Sequence, residues 1–198
     1  MNELLIGAGL AVLFTAGLAC AEQTAPSDNQ PDFDPAEKQI RRTPPSDFPD
    51  LPAGIKAVLA KRGCGIPQPT AGIEKTRPLK NVIRGEFFVN GQEAWAVLCS
   101  SRGSSTILVF RDRSGAKPEE IAPAEDKNYL QGDGPGKIAY SREIDPVGRK
   151  YIMDHFRAYG GPEPPPIDHQ GIDDVFLEKA SVTYYWYHGK WLQLQGAD

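Results

Sequence analysis

Asn81-Val-Ile-Arg-Gly-Glu-Phe-Phe-Val-Asn-Gly-Gln-Glu-Ala-Trp-Ala-Val-Leu-Cys-Ser-Ser-Arg-Gly-Ser-Ser-Thr-Ile-Leu-Val-Phe-Arg111 is the stretch whose reading decides the fold. Val82 to Val89 is rich in strand formers, and Asn90-Gly91 is a strong hairpin signal because both residues tolerate positive φ. Glu93 to Ser100 answers as a second strand, with Trp95, Val97 and Cys99 on one face. After a turn at Ser101–Ser104, Ser105 to Arg111 carries Ile-Leu-Val-Phe without alternation, which suits a central strand covered on both faces. The expectation is a three-strand antiparallel meander.

Working toward the C-terminus, a further strand is expected at Lys137–Ser141. A helix follows, opened by Asp145-Pro146 and closed by Gly160, with Val147, Tyr151, Ile152, His155, Phe156 and Tyr159 on one apolar face. After the proline-rich loop 161–166 come strands over Asp174–Glu178, Ser181–Tyr187 and Lys190–Gln195, the last two joined at His188-Gly189. Toward the N-terminus, Asp50-Leu51-Pro52 signals a helix start. Ile55, Val58 and Leu59 then form its stripe, and Gly63 suits the C′ position. Strand runs with two separated helices predict an α+β fold: a mainly antiparallel sheet, a meander of 5–7 strands, with the helices on one face and one disulfide.

The chain of 198 residues divides into a leader over 1–21, a disordered polar tether over 22–49, and a single globular domain over 50–198. Leu4 to Cys20 is an apolar run, and Ala19-Cys20-Ala21 fits the small-residue pattern of a cleaved signal peptide, with cleavage before Glu22. The segment before the run holds Glu3 and no Lys or Arg. Gly17-Leu18-Ala19-Cys20 shares features with a lipoprotein signal, which would make Cys20 a lipid acceptor. An uncleaved anchor is the third reading. All three place the body outside the cytoplasm, in a bacterial periplasm or outer envelope or secreted, with membrane contact only through the leader or a lipid.

Cys64 and Cys99 remain as a pair in a compartment that permits disulfides. Their separation does not suit thiol exchange, which favours C-x-x-C, so a structural disulfide is expected. Forty per cent apolar residues fit a globular class, and the net charge of −4 argues against a nucleic-acid partner.

Gly85-Glu86-Phe87, Asn90-Gly91-Gln92 and Trp95-Ala96-Val97-Leu98 together resemble one blade of the integrin-type FG-GAP propeller repeat, in which a calcium loop joins two strands. Calcium takes about 6–8 oxygen ligands. The loop Phe88–Ala94 offers only Asn90 and Glu93, so the resemblance implies a similar hairpin without a metal. Trp95-Ala96-Val97-Leu98-Cys99-Ser100, Gly171-Ile172-Asp173-Asp174 and Gly189-Lys190-Trp191 are similar to a group of small exported bacterial proteins of unassigned function. That similarity implies a secreted single domain and no catalytic residues.

Asp168, His169, Asp173 and Asp174, with Glu178 beyond, form the densest acid–histidine cluster. They read first as a capped turn after the proline-rich loop, with a divalent-ion site or acid–base work as the alternatives. Tyr184, Trp186 and Trp191 crowd the C-terminal hairpin, as an exposed binding surface for sugars or a protein, or as cross-strand core. His155 reads as a packing residue. Ser100 to Ser105 is serine-rich, without the G-x-S-x-G elbow that would make it a nucleophile site. No P-loop, dinucleotide fingerprint, H-E-x-x-H motif or zinc-spaced cysteines occur, and no cofactor is expected.

The expectation is therefore a non-catalytic envelope or secreted module that binds another protein or a cell-wall saccharide. The alternatives are a small periplasmic hydrolase or metal-dependent enzyme using the Asp168–Asp174 segment, and a structural lipoprotein.

Overall fold

The structure, a computed structural model, describes residues 33–71 and 78–196. Its helices are α1 (Phe33–Lys38), α2 (Ala53–Lys61) and α3 (Arg149–Tyr159), with short 3-10 turns at Pro45–Asp47 and Asp126–Tyr129. The first strands are β1 (Arg42–Thr43), β2 (Ile66–Pro67), β3 (Val82–Gly85), β4 (Ala94–Ser101), β5 (Ser104–Phe110) and β6 (Glu119–Glu125). They are followed by β7 (Leu130–Gly132), β8 (Ile138–Tyr140), β9 (Arg142–Val147), β10 (Gly171–Phe176), β11 (Ala180–Tyr187) and β12 (Lys190–Gln195).

These strands form two four-stranded antiparallel sheets, β3-β4-β5-β6 and β12-β11-β10-β9, and two small pairs, β1-β2 and β7-β8. The meander expected from the opening stretch is the first large sheet with β6 added. Twelve described strands exceed the 5–7 expected, the additional ones being β1, β2, β6, β7 and β9, and the C-terminal strands build a sheet of their own rather than extending the first.

The two large sheets share an apolar layer. Ala94, Ala96 and Leu98 of β4 with Ile107 and Val109 of β5 meet Ile144 of β9 and Ile172 of β10. The opposite face of β4 and β5, carrying Trp95, Val97, Cys99, Leu108 and Phe110, packs on Ile55 and Leu59 of α2. On the far side of the second sheet, Tyr185 and Leu194 pack against Ile152 of α3. The order is thus helix, sheet, sheet, helix. The two helices cover different sheets, where one common face was expected, because each sheet has one apolar face left after the sheets meet.

Several local readings hold. Gly63 takes φ 67° after α2, and the amides of Gly63 and Cys64 donate to Ala60 and Leu59, the paired bonds of a Schellman end. Arg102-Gly103 and His188-Gly189 each take positive φ at both positions, as a type I′ two-residue turn requires.

Others are corrected. The β3–β4 pairing stops at Gly85 and Ala94, so Asn90-Gly91 lies in a wide loop; only Gly91 of that pair takes positive φ. Phe87 and Phe88 turn inward to be buried instead of extending the hairpin, and burying two phenyl rings outweighs a few ladder bonds. Asp145-Pro146 lies inside β9 and the helix starts at Arg149 behind Gly148. β9 is an edge strand, where a proline's missing N–H costs little. Residues 33–49, expected as polar tether, are part of the body: Ile40, Pro45 and Phe48 are buried, and Ile40 packs with Leu130 and Tyr140. The apolar residues scattered through that stretch are few, yet Phe33 and Ala36 also pack partly buried against the Ile40 cluster. The leader and Cys20 lie outside the described residues.

Candidate functional site

The acid–histidine cluster does not converge. Asp173 and Asp174 are neighbours on β10, so their side chains leave opposite faces of the sheet. Asp174 points into the layer between the sheets and binds Arg142 through two bonds of 2.8 Å. Arg142 is fully buried, also donates to Ser105 Oγ at 2.8 Å and Ala122 O at 2.7 Å, and lies over the Tyr129 ring. Burial would lower the arginine's pKa, but the Asp174 carboxylate raises it further and prevails. His169 is buried, with Nδ1 2.9 Å from the Gln170 carbonyl, and Asp168 is exposed. Among the described residues, no three His, Cys, Asp or Glu side chains gather as a metal site would require.

The C-terminal aromatics are packed rather than displayed. Tyr184, Trp186 and Trp191 are half-buried against the inter-sheet layer. Trp186 and Trp191 stand edge-on to Phe88 at 5.2 and 5.5 Å, and the Arg111 guanidinium lies 3.9 Å from the Phe88 centroid. Cross-strand alternation on β11 sends Tyr185 and Tyr187 to the α3 side instead.

Cys64 and Cys99 form a disulfide with Cα atoms 5.1 Å apart, tying the end of α2 to β4. Beyond it, Ser100 and Ser105 are buried opposite one another, each against a charge pair. Ser100 donates to Asp126, which Arg42 also binds at 2.7 Å; Ser105 accepts from Arg142. Both hydroxyls are sealed from solvent and serve packing.

The groups that do combine exposure with convergent polarity lie elsewhere. Tyr151, His155 and Tyr159 occupy successive turns of α3 and stand in a row, with ring centroids 5.6 and 5.1 Å apart, the first pair tilted by 32° and the second edge-on at 68°. Tyr151 is 40% exposed and Tyr159 54%, while His155 between them is buried. The row flanks a solvent-open cleft of about 380 Å³ closed on its other side by the end of the β10–β11 hairpin, including Asp173, Glu178 and Ser181.

Asp173 forms the floor. It accepts from the Tyr151 hydroxyl at 2.8 Å and from Thr183 Oγ1 at 2.7 Å, with its side chain buried. Burial first, then the bond to Asp173, pushes the Tyr151 phenol up to about 12, against a smaller lowering by Ser181. The phenol is therefore neutral throughout the physiological range.

His155 Nε2 is buried and has no hydrogen-bond partner. A histidine joined to neither Ser181 nor a carboxylate is not a nucleophile–base pair. It is a sealed, unsatisfied polar atom under the two tyrosine rings. Gly196 packs closely behind these groups: a methyl group there would lie 2.5 Å from Ser181 Oγ and 2.8 Å from His155 Cε1.

Helical spacing puts Tyr151, His155 and Tyr159 on one apolar face, and Asp173 belongs in sequence to the acid–histidine cluster. The helical i, i+4, i+8 spacing of the three rings was visible. Their meeting with a strand residue near position 173 was not, because nothing in local spacing encodes it.

A larger groove of about 820 Å³ lies over the first sheet, lined by Phe48, Leu51, Leu79, Val82 and Trp95, with Arg84 and Arg113 at its rim. Both arginines already face Glu93, at 3.4 and 3.7 Å, so the rim's cations are engaged. No helix among the described residues is long and apolar enough to cross a membrane. Comparison of the chain with protein-family models, with curated proteins and with solved structures finds no match.

Proposed function

We propose that this chain is an exported, non-catalytic binding module of the cell envelope or secreted space, and that its ligand seats in the cleft between α3 and the β10–β11 hairpin. The observation that carries the reading is the pair of exposed tyrosines, Tyr151 and Tyr159, set beside a buried carboxylate and an unpartnered buried imidazole. Two exposed rings along one helix, rimmed by polar groups, form the kind of patch that marks a binding site, and a few convergent polar groups orient a guest. Export is supported by the apolar leader pattern and by the Cys64–Cys99 disulfide, a bond that persists in oxidising compartments. The partner is another protein or a cell-wall saccharide.

The test is retention from an envelope extract of the native host on immobilised protein. The wild type retains a component and Tyr159→Ala does not. A wild type that retains nothing, or retention that Tyr159→Ala leaves intact, contradicts the reading. Because Tyr159 is largely exposed, its truncation does not threaten the fold.

A further inference from the structure

We infer that the ligand of the α3 cleft is a neutral oligosaccharide, held as a run of pyranose rings along the Tyr151–His155–Tyr159 row. This inference rests on the binding reading above and adds the ligand class.

A pyranose is an amphipathic disc. Its C–H face is apolar and its hydroxyls project from the rim, so it needs an aromatic face beside hydrogen-bond acceptors. Both are here. Tyr151 and Tyr159 present exposed rings, and Asp173, Glu178 and Ser181 edge the same cleft. Each Asp173 oxygen accepts one protein donor, from Thr183 and from Tyr151, which leaves a lone pair on each for a ligand hydroxyl. The His155 ring lies under the row between the two tyrosines, with its Nε2 buried.

Length follows from the helix. Eight residues from Tyr151 to Tyr159 make about 12 Å of rise. That span suits several linked rings rather than a monosaccharide, and the intermediate ring of His155 falls between the two contacts.

Charge favours a neutral chain. Asp173 and Glu178 are acidic, and Lys179, the basic lining residue, is turned over the Phe176 ring. An anionic polymer would meet repulsion in this cleft.

A peptide fits less well. Extended peptides gain affinity by adding to a free strand edge. The strands lining the cleft, β10 and β11, are both interior to their sheet, each paired on two sides, so no such edge is offered. An amphipathic helix would want a continuous apolar groove, and this floor is a hydrogen-bonded carboxylate.

The experiment is calorimetric titration of the full chain with three neutral tetrasaccharides: β-1,4-linked glucose, β-1,4-linked N-acetylglucosamine and α-1,4-linked glucose. At least one binds the wild type. Tyr159→Ala weakens it about ten-fold, the loss expected for one stacking ring, and Tyr159→Phe restores it. Absence of binding by all three overturns the inference, as does affinity that Tyr159→Ala leaves unchanged.

The envelope extract separates the two levels of the proposal. If the component retained in a Tyr159-dependent way is destroyed by proteinase, the ligand is a peptide and the saccharide inference falls while the binding module stands. If it survives proteinase and a tetrasaccharide displaces it, both stand. If no Tyr159-dependent component is retained, the binding reading itself falls.

Discussion

Removing the Asp174 carboxylate should be among the most damaging single changes available to this fold. Arg142 would be left fully buried, still bonded to Ser105 Oγ and Ala122 O but without its counter-charge. The guanidinium cannot shed its proton to escape: burial pulls its pKa down once Asp174 is gone, but arginine starts too far above neutrality to lose its charge. Two charge-assisted bonds of 2.8 Å are lost, each contributing roughly 1.5–3 kcal/mol. A bound from buried pairs generally is about 3–5 kcal/mol for removing one partner. Against a typical stability of about 5–15 kcal/mol, Asp174→Ala should therefore bring the protein close to unfolding.

The converse change, Arg142→Met, abandons the carboxylate instead. A buried carboxylate without its cation carries the same kind of penalty, so this variant too should lose about 3–5 kcal/mol. Replacing both, as Arg142→Met with Asp174→Leu, should recover most of the loss, because an apolar pair carries no desolvation penalty. Urea unfolding followed by tryptophan fluorescence reads all three, provided the m value is unchanged. An Asp174→Ala cost below about 1 kcal/mol, or a double variant as unstable as the sum of the singles, would refute the assignment of this pair as the charged pin between the sheets.

Two further outcomes follow from the same structure. Reducing the Cys64–Cys99 bond, or replacing both cysteines with alanine, reopens a separation of 35 residues and should cost roughly 3–4 kcal/mol on the chain-entropy model; urea midpoints with and without reductant measure it, and no change would mean the bond is not formed in solution. In alkali the protein should lose stability as the pH rises from about 10 to about 12. Tyr129 and Tyr151 are both pushed up to about 12 from 10.0, so their neutral forms favour the fold fully below the unfolded value and the gain disappears on the way to the folded one. Tyr129→Phe should flatten this loss in an alkaline unfolding series, and a wild-type profile flat to pH 12 would contradict it.

The parts of the fold that could be read locally were those whose local preference and tertiary environment agree. β4 and β5 are apolar on both faces and are covered on both faces. Gly63 and Gly189 stand where positive φ is needed. Asn90-Gly91 failed as a hairpin because Phe87 and Phe88 compete for the core, a preference that pair propensity does not include. The doubling of the sheet was not legible, since strand count says little about which strands share a ladder. Tyr184, Trp186 and Tyr185 show the same limit: alternation divides them between two faces, but only the second sheet and α3 decide that both faces are covered.

At the site, Asp173 and His155 were each visible as chemistry-bearing residues, one in a loop cluster and one on a helix. Tyr151 and Tyr159 fall on the apolar face that the helical spacing predicts, together with Val147, Ile152, His155 and Phe156. The buried stripe is narrow, Ile152 and His155, with Phe156 partly covered, and the two tyrosines fall on its flank. Their exposure is set by how much of α3 the second sheet can cover, which is a property of the packed sandwich.

The central claim, that the cleft between α3 and the β10–β11 hairpin is the binding site, is tested most directly by hydroxyl-radical footprinting with mass-spectrometric readout, comparing free protein with protein loaded with the fraction it retains from the envelope extract. Oxidation of Tyr151 and Tyr159 should fall together on loading, while the exposed Val89, far along the chain in the β3–β4 loop, should react as before. Equal oxidation of both tyrosines with and without the bound fraction would contradict the account.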